Sequence, residues 1–395
     1  MREMIKKLVP GKLLDIYKRL RKSFITMEFG MFRAFPIRKK RVVLCNVWGF
    51  GDNPKWIAKA LARADRSVEV IFVTDKAAAE NVPGEIKIVE NNTPRAIYYL
   101  ATAHIWVDCN RKEPYIIKRS GQIYIQTWHG SLPLKKLEAD YAGLTEEYME
   151  NARRDSKMTD LCLSNGEFMN DIYKTAFMYD CEAVITGSAR MDPLIRPNAK
   201  RVQRTKKHIA RLAGIADYSN MKLAVYAPTY RENGQKIDFP DLGQVREALK
   251  KRFGGEFVIV ARVHPLVRGS AKVQAEGIVD GNYFSDLYEL LEASQILITD
   301  YSNTMFEFAC AGRTVFLYAT DSREYEAERG FYFDYAGLPY PHSSSTKELC
   351  GQIEDFSEFD YKTGLKGFFK DLGIREDGRA SRRIAELILR KVYRS

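Results

Sequence analysis

Short apolar strands alternate with helix-length amphipathic stretches twice along this chain, and that alternation constrains the fold more than any other feature. In the first series, Arg41–Asn46 (RVVLCN), Ser67–Thr74 (SVEVIFVT), Ile86–Val89, Ala103–Asp108 (AHIWVD) and Gln122–Gln126 read as strands. Helices are predicted over Pro54–Ala64 and over Thr93–Thr102, the latter capped by Thr93. The second series has strands at Leu223–Ala227, Phe257–Val263, Ile296–Thr299 and Thr314–Tyr318, with helices at Leu242–Phe253, Leu287–Ala293 and Thr304–Ala311. Such alternation indicates parallel sheets covered on both faces. The polar stretch Arg196–Lys207 (RPNAKRVQRTKK) marks the expected junction between the two series.

The expected fold class is therefore α/β and GT-B-like: two Rossmann-like domains facing a central cleft. Residues 41–200 would form the N-terminal domain and 201–375 the C-terminal domain. A basic arm over 1–40 would precede them, and a helix over 376–395 could pack back on the N-terminal domain. With 395 residues there is enough chain for two cores. Six cysteines include no CxxC pair, so neither a disulfide framework nor a zinc site is expected. Reduced thiols suit a cytoplasmic protein.

Charge narrows the class of partner. Residues 1–41 carry 13 Lys/Arg against 3 Asp/Glu, which accounts for +10 of the net +11. The body is near neutral, which argues against a nucleic-acid binder. In the arm, Ile5, Leu8, Val9, Leu13, Ile16, Tyr17, Leu20, Phe24 and Met27 recur at helical spacing, with basic residues between them. This pattern suits an anionic membrane surface. The plainer reading is a helix packed on the body with its basic face in water. No apolar run reaches the roughly 18 residues needed to span a bilayer.

Ligands in doubly wound sheets bind outside the carboxyl ends of strands, so residues at those ends are the candidates. His129 follows one strand in the run QTWHGSLPLKKL, and His264 follows another in VIVARVHP. Two imidazoles facing one cleft would suit proton transfer from a hydroxyl and stabilisation of phosphoryl charge. In ITDYSNTMFEFA, Asp300 ends a strand and Ser302 and Asn303 open a helix, a potential anion site or an ordinary helix cap. Glu307 lies one turn in, within reach of a ribose hydroxyl. Thr229 and Arg231 stand in YAPTYRE, and Arg329 in RGFYFD. Trp128 and Gly130 flank His129. Lys135 and Lys136 could attract an anionic acceptor or form a solvated face.

In order, WHG…LKKL, GSARMD, YAPTYR, VHP, TDYSNTMFEFA and RGFYFD resemble the family of CDP-glycerol glycerophosphotransferases that build teichoic-acid-like polymers. The resemblance runs from Asp52-Asn53-Pro54-Lys55 to Asp334. It implies CDP-glycerol as donor, a lipid-linked anionic acceptor, release of CMP and a peripheral enzyme on the cytoplasmic face of the membrane. By the same resemblance His129 is the general base, and His264 and Arg329 stabilise the phosphate oxygens. Asp300, Ser302 and Asn303 would form the donor-phosphate loop. No tightly bound cofactor is implied, and Mg²⁺ could arrive with a diphosphate. Three departures bear on donor and acceptor choice: Leu132 is inserted before Pro133-Leu134-Lys135, Asn303 replaces a frequent serine, and Ser164-Asn165-Gly166-Glu167 is poorer in serine. A CDP-ribitol transferase or a nucleotide-sugar glycosyltransferase on the same fold is the alternative, and a non-catalytic membrane-surface protein a more distant one. The length leans toward a primase over a polymerase, and oligomeric state is open.

Overall fold

The computed structural model describes residues 11–75, 82–231, 238–263, 276–284 and 286–394. Two parallel sheets organise them. The first holds β1 (Arg38–Cys45), β2 (Glu69–Thr74), β3 (Ile86–Glu90), β4 (Ala103–Asp108), β5 (Ile123–Gln126), β6 (Leu161–Ser164) and β7 (Glu182–Ile185), in the order β3-β2-β1-β4-β5-β6-β7. The second holds β8 (Met221–Tyr226), β9 (Glu256–Ala261), β10 (Ile278–Asp280), β11 (Ile296–Thr299), β12 (Thr314–Tyr318) and β13 (His342–Ser343), in the order β10-β9-β8-β11-β12-β13. Strand order reverses between β1 and β4 and between β8 and β11. These switch points are where doubly wound sheets open a crevice.

Burial explains why the strands read as unbroken apolar runs. On β1, Val42 and Leu44 pack into one core layer and Val43 and Cys45 into the layer on the opposite face. A parallel strand covered on both sides has no face left for polar residues. The strands β6 and β7 were not predicted. β6 is only four residues long (LCLS), and β7 (EAVI) is an edge strand that stays partly exposed. Arg196–Lys207, the expected junction, is largely helical. Asn198 caps a helix over Ala199–Leu212 by accepting from the Arg201 amide, and Ile209 and Ala210 are buried. The apolar positions of that helix are few, and its many cations hid the period.

The two halves exchange pieces. Leu132, Leu134, Met191 and Leu194 belong to the core built around β8 to β12. In return, the helix Ala380–Arg394 places Ala380, Ile384, Ala385, Ile388 and Val392 in the same core as Val42, Leu44, Ile57 and Leu61. The helix Gly11–Phe32 buries Ile25 and Phe29 among Ile97, Leu100 and Ala101 of the helix Pro94–Thr102. Its other face leaves Leu20, Phe24, Met27 and Met31 more than half exposed (66%, 54%, 54% and 63%). The first ten residues of the arm lie outside the described residues. No described helix is long and apolar enough to cross a membrane.

Candidate active site

The cleft between the sheets holds a pocket of about 660 Å³. From the first half come His129, Lys135 and Arg190. From the second come Ala227–Tyr230 after β8, Arg262 and Val263 after β9, Ser302–Thr304 after β11, and Asn282, Leu287 and Tyr288. The lining therefore gathers at the carboxyl ends of strands on both sides.

His129 is held tightly. Its Nδ1 lies 3.0 Å from the Cys109 carbonyl, which follows β4. A carbonyl only accepts, so Nδ1 carries the proton and Nε2 is left as the basic nitrogen. Its ring lies against the Trp128 ring, tilted by 30° with centroids 3.9 Å apart, and meets Trp48 edge-on at 5.3 Å. Burial pushes its pKa below the ordinary 6.5, against the opposing effects of the Cys109 carbonyl and Asp52. The imidazole is therefore neutral at pH 7.

The loop carrying it is strained and braced. Trp128 has φ +53°, a left-handed conformation that a bulky residue adopts at a cost of roughly 1–3 kcal/mol. Its amide donates to Gln126 Oε1 at 2.9 Å, and its carbonyl accepts from Asn53 Nδ2 at 3.0 Å. Its ring packs edge-on against Phe177 at 4.6 Å. A Cβ on Gly130 would meet Asn303 Nδ2 at 3.5 Å and the Trp128 ring at 3.6 Å, ordinary contacts that do not demand a glycine.

A buried polar network joins this loop to the donor half. Glu307 accepts from the Ser131 amide (3.2 Å), Ser131 Oγ (2.8 Å), Arg190 Nη2 and the Tyr288 hydroxyl. Arg190 also pairs with Asp52 at 3.0 Å and donates to the His129 carbonyl, and its amide donates to Asn53 Oδ1 at 3.1 Å. Lys55 pairs with Asp286 across the cleft at 2.7 Å. Asn303 Oδ1 accepts from the Leu134 amide at 3.0 Å. Further along, Tyr332 and Lys136 amides donate to the Leu134 and Gly330 carbonyls at 2.8 and 3.0 Å.

Several expectations change on this geometry. Glu307 was expected to reach a ribose hydroxyl; its carboxylate is instead fully buried and committed to the donors just named. Arg231 and Asp300 were expected to touch the donor. They are buried and pair with each other at 3.0 Å, while Arg231 Nε also pairs with Asp321 at 2.7 Å. Asp300 further accepts from the Thr229 amide at 2.8 Å, so this trio shapes the loop after β8. The strand-end position drew attention to charges that are struts. Arg329 stands outside the pocket lining, with its guanidinium 4.8 Å from the Tyr141 ring. The helix expected over Thr304–Ala311 ends at Cys310 and is seven residues long, so its dipole adds little.

Other candidates do face the cleft. Thr229, Ser302, Asn303 and Lys135 line the pocket. Lys136 is exposed. His264 lies outside the described residues. Sequence reasoning missed Asp52, Asn53, Arg190, Arg262 and Tyr288. Asp52, Asn53 and Arg190 stood within quoted motifs, and Arg262 precedes VHP directly. Among the described residues, no group of three or more His, Cys, Asp or Glu is arranged to hold a metal ion.

The family model for CDP-glycerol:poly(glycerophosphate) glycerophosphotransferases matches residues 27–390. The chain is 26% identical over 398 residues to a teichoic acid poly(glycerol phosphate) polymerase of Bacillus spizizenii, covering 96% of this chain and 99% of that one. It is 28% identical over 374 residues to the polymerase of the same name from Staphylococcus epidermidis, of which it spans about half (51%). A solved structure of a variant of the wall teichoic acid polymerase TagF superposes with TM-score 0.81 at 26% identity, covering 97% of this chain and 98% of that chain.

Proposed function

The chain belongs to the CDP-glycerol:poly(glycerophosphate) glycerophosphotransferase family, and from that premise we propose how its cleft carries out the transfer. The reaction moves glycerol phosphate from CDP-glycerol to a hydroxyl of a lipid-linked acceptor in teichoic-acid-type polymer synthesis and releases CMP. The acceptor oxygen forms a bond to the phosphorus bearing the glycerol. The bond from that phosphorus to the oxygen shared with CMP breaks, and CMP leaves with the electron pair. The hydroxyl proton passes to His129 Nε2. Positioning and the spreading of phosphoryl charge dominate such a step.

The observation that carries this reading is the placement of His129: its Nδ1 is committed to the Cys109 carbonyl, which leaves Nε2 as the basic nitrogen, and the residue lines the cleft pocket. Ser302, Asn303 and Thr229 would receive the diphosphate from the opposite wall, and Lys135 would draw in an anionic acceptor. His264, the histidine of VHP, keeps its proposed role beside the phosphates. No tightly bound cofactor is proposed; any Mg²⁺ would arrive with the diphosphate. A relative of nearly this length bears the polymerase name, so chain length does not favour a primase.

The enzyme would work on the cytoplasmic face of the membrane. The exposed stripe Leu20, Phe24, Met27 and Met31 would enter the interface, with Arg21, Lys22 and Arg33 near the headgroups.

The test is CMP release from CDP-glycerol with a lipid-linked glycerophosphate acceptor. His129→Ala should lower the rate at least about a hundredfold. In wild type, kcat/KM should stay level through pH 7 and fall only below pH 6.5, since the base is lost when the depressed imidazole protonates. An unchanged rate in the variant would remove His129 as the base, and turnover of CDP-ribitol in preference to CDP-glycerol would reassign the donor.

A further inference from the structure

One half-buried guanidinium in the cleft has no role in the chemistry above. Arg262 leaves the end of β9, its amide donating to the Tyr226 carbonyl at 2.8 Å, and its side chain lines the pocket beside Thr229, Asn282 and Tyr288. Its Nη1 is buried with no hydrogen-bond partner among the described residues. The neighbouring buried arginines are treated differently. Arg190 is answered by Asp52 and Glu307, and Arg231 by Asp300 and Asp321. The carboxylate whose charge acts on Arg262 is Asp286. Asp286 is already engaged, by Lys55 at 2.7 Å and by the Tyr288 amide at 2.9 Å.

Arginine does not shed its proton in a protein interior. A guanidinium nitrogen buried without an acceptor among the described residues is therefore a standing penalty, and burial opposes the charge of the half-buried group. An anion entering the pocket would remove that penalty. The planar fork of donors matches a phosphate edge. Arg262 also leaves the same sheet edge as the Thr229 and Ser302 loops, on the donor side of the cleft.

We propose that Arg262 is a phosphate-binding residue of the donor site, its guanidinium taking non-bridging oxygens of the CDP-glycerol diphosphate. The assignment rests on the glycerophosphate-transfer reading, and the two fail separately. Wild-type protein that releases no CMP from CDP-glycerol sinks that reading. Given turnover, Arg262→Met should raise KM for CDP-glycerol and weaken calorimetric binding of CDP by about 10–100-fold. Cytidine affinity and the acceptor KM should not move, and Arg262→Lys should recover part of the loss. Without ligand, Arg262→Met should melt no lower than wild type, because the charge removed is half-buried and its buried Nη1 has no partner among the described residues. The proposal is overturned by undiminished CDP binding in Arg262→Met, by equal loss of CDP and cytidine, by a rise in acceptor KM alone, or by a melting point several degrees lower without ligand.

Discussion

Replacing Glu307 with alanine removes the carboxylate on which donors from both halves converge. Four hydrogen bonds end there, from the Ser131 amide and hydroxyl, Arg190 and Tyr288. Glu307 is fully buried and Arg190 nearly so (5% exposed), so solvent cannot replace the missing partner. Among the described residues, Arg190 would keep only Asp52 as a paired counter-charge. Breaking a buried pair from one side costs about 3–5 kcal/mol. With roughly 2.1 cal/mol/K of unfolding entropy per residue, a chain of 395 residues should lose about 4–6 °C in Tm. Glu307→Gln keeps an acceptor for Ser131 but loses the charge, and should fall between alanine and wild type. The assay is a thermal melt without ligand, beside a titration with CDP-glycerol. A Tm within a degree of wild type, together with weakened donor binding, would refute the argument and return Glu307 to the ribose contact suggested by its place in the chain.

Other outcomes follow from the same structure. Burial pushes the Glu376 carboxyl up to about 8, even though both its oxygens accept from the Ser188 amide at 2.9 and 3.1 Å. The folded state then binds the proton more tightly than the unfolded state, so this group's contribution to stability is full below about pH 4.5 and declines as pH rises toward 8. Glu376→Gln should leave Tm unchanged at the acid end of that window and raise it at pH 8; an equal shift at both ends would contradict this. On the arm, Phe24→Glu with Met31→Glu should reduce partition to anionic vesicles at least about tenfold in flotation, since two apolar side chains are withdrawn from the interface. Undiminished partition would assign membrane binding elsewhere.

The sheets were legible because parallel strands covered on both faces must be continuously apolar, as in RVVLC and TVFLY. His129 was legible because a strand end beside a glycine is where such folds expose chemistry. The partners of the charged residues were not. Glu307 and Arg190 are 117 positions apart, and Arg231 and Asp321 are 90 apart. A charge at a strand end looks the same in sequence whether it meets a ligand or a distant countercharge. Arg262 escaped notice for the converse reason: what marks it is a missing partner, which only the folded arrangement reveals.

Leu132 and Leu134 complete one core, and the helix Ala380–Arg394 completes the other. Neither half is a self-sufficient unit of inheritance. A fragment ending at the junction helix would lack the closing helix of its own core and carry a loop with nowhere to insert. Recombination that splices the donor half of one relative to the acceptor half of another would break both exchanges at once. Chimeras intended to redirect the enzyme should therefore carry residues 131–137 and 380–394 along with the core that each one fills.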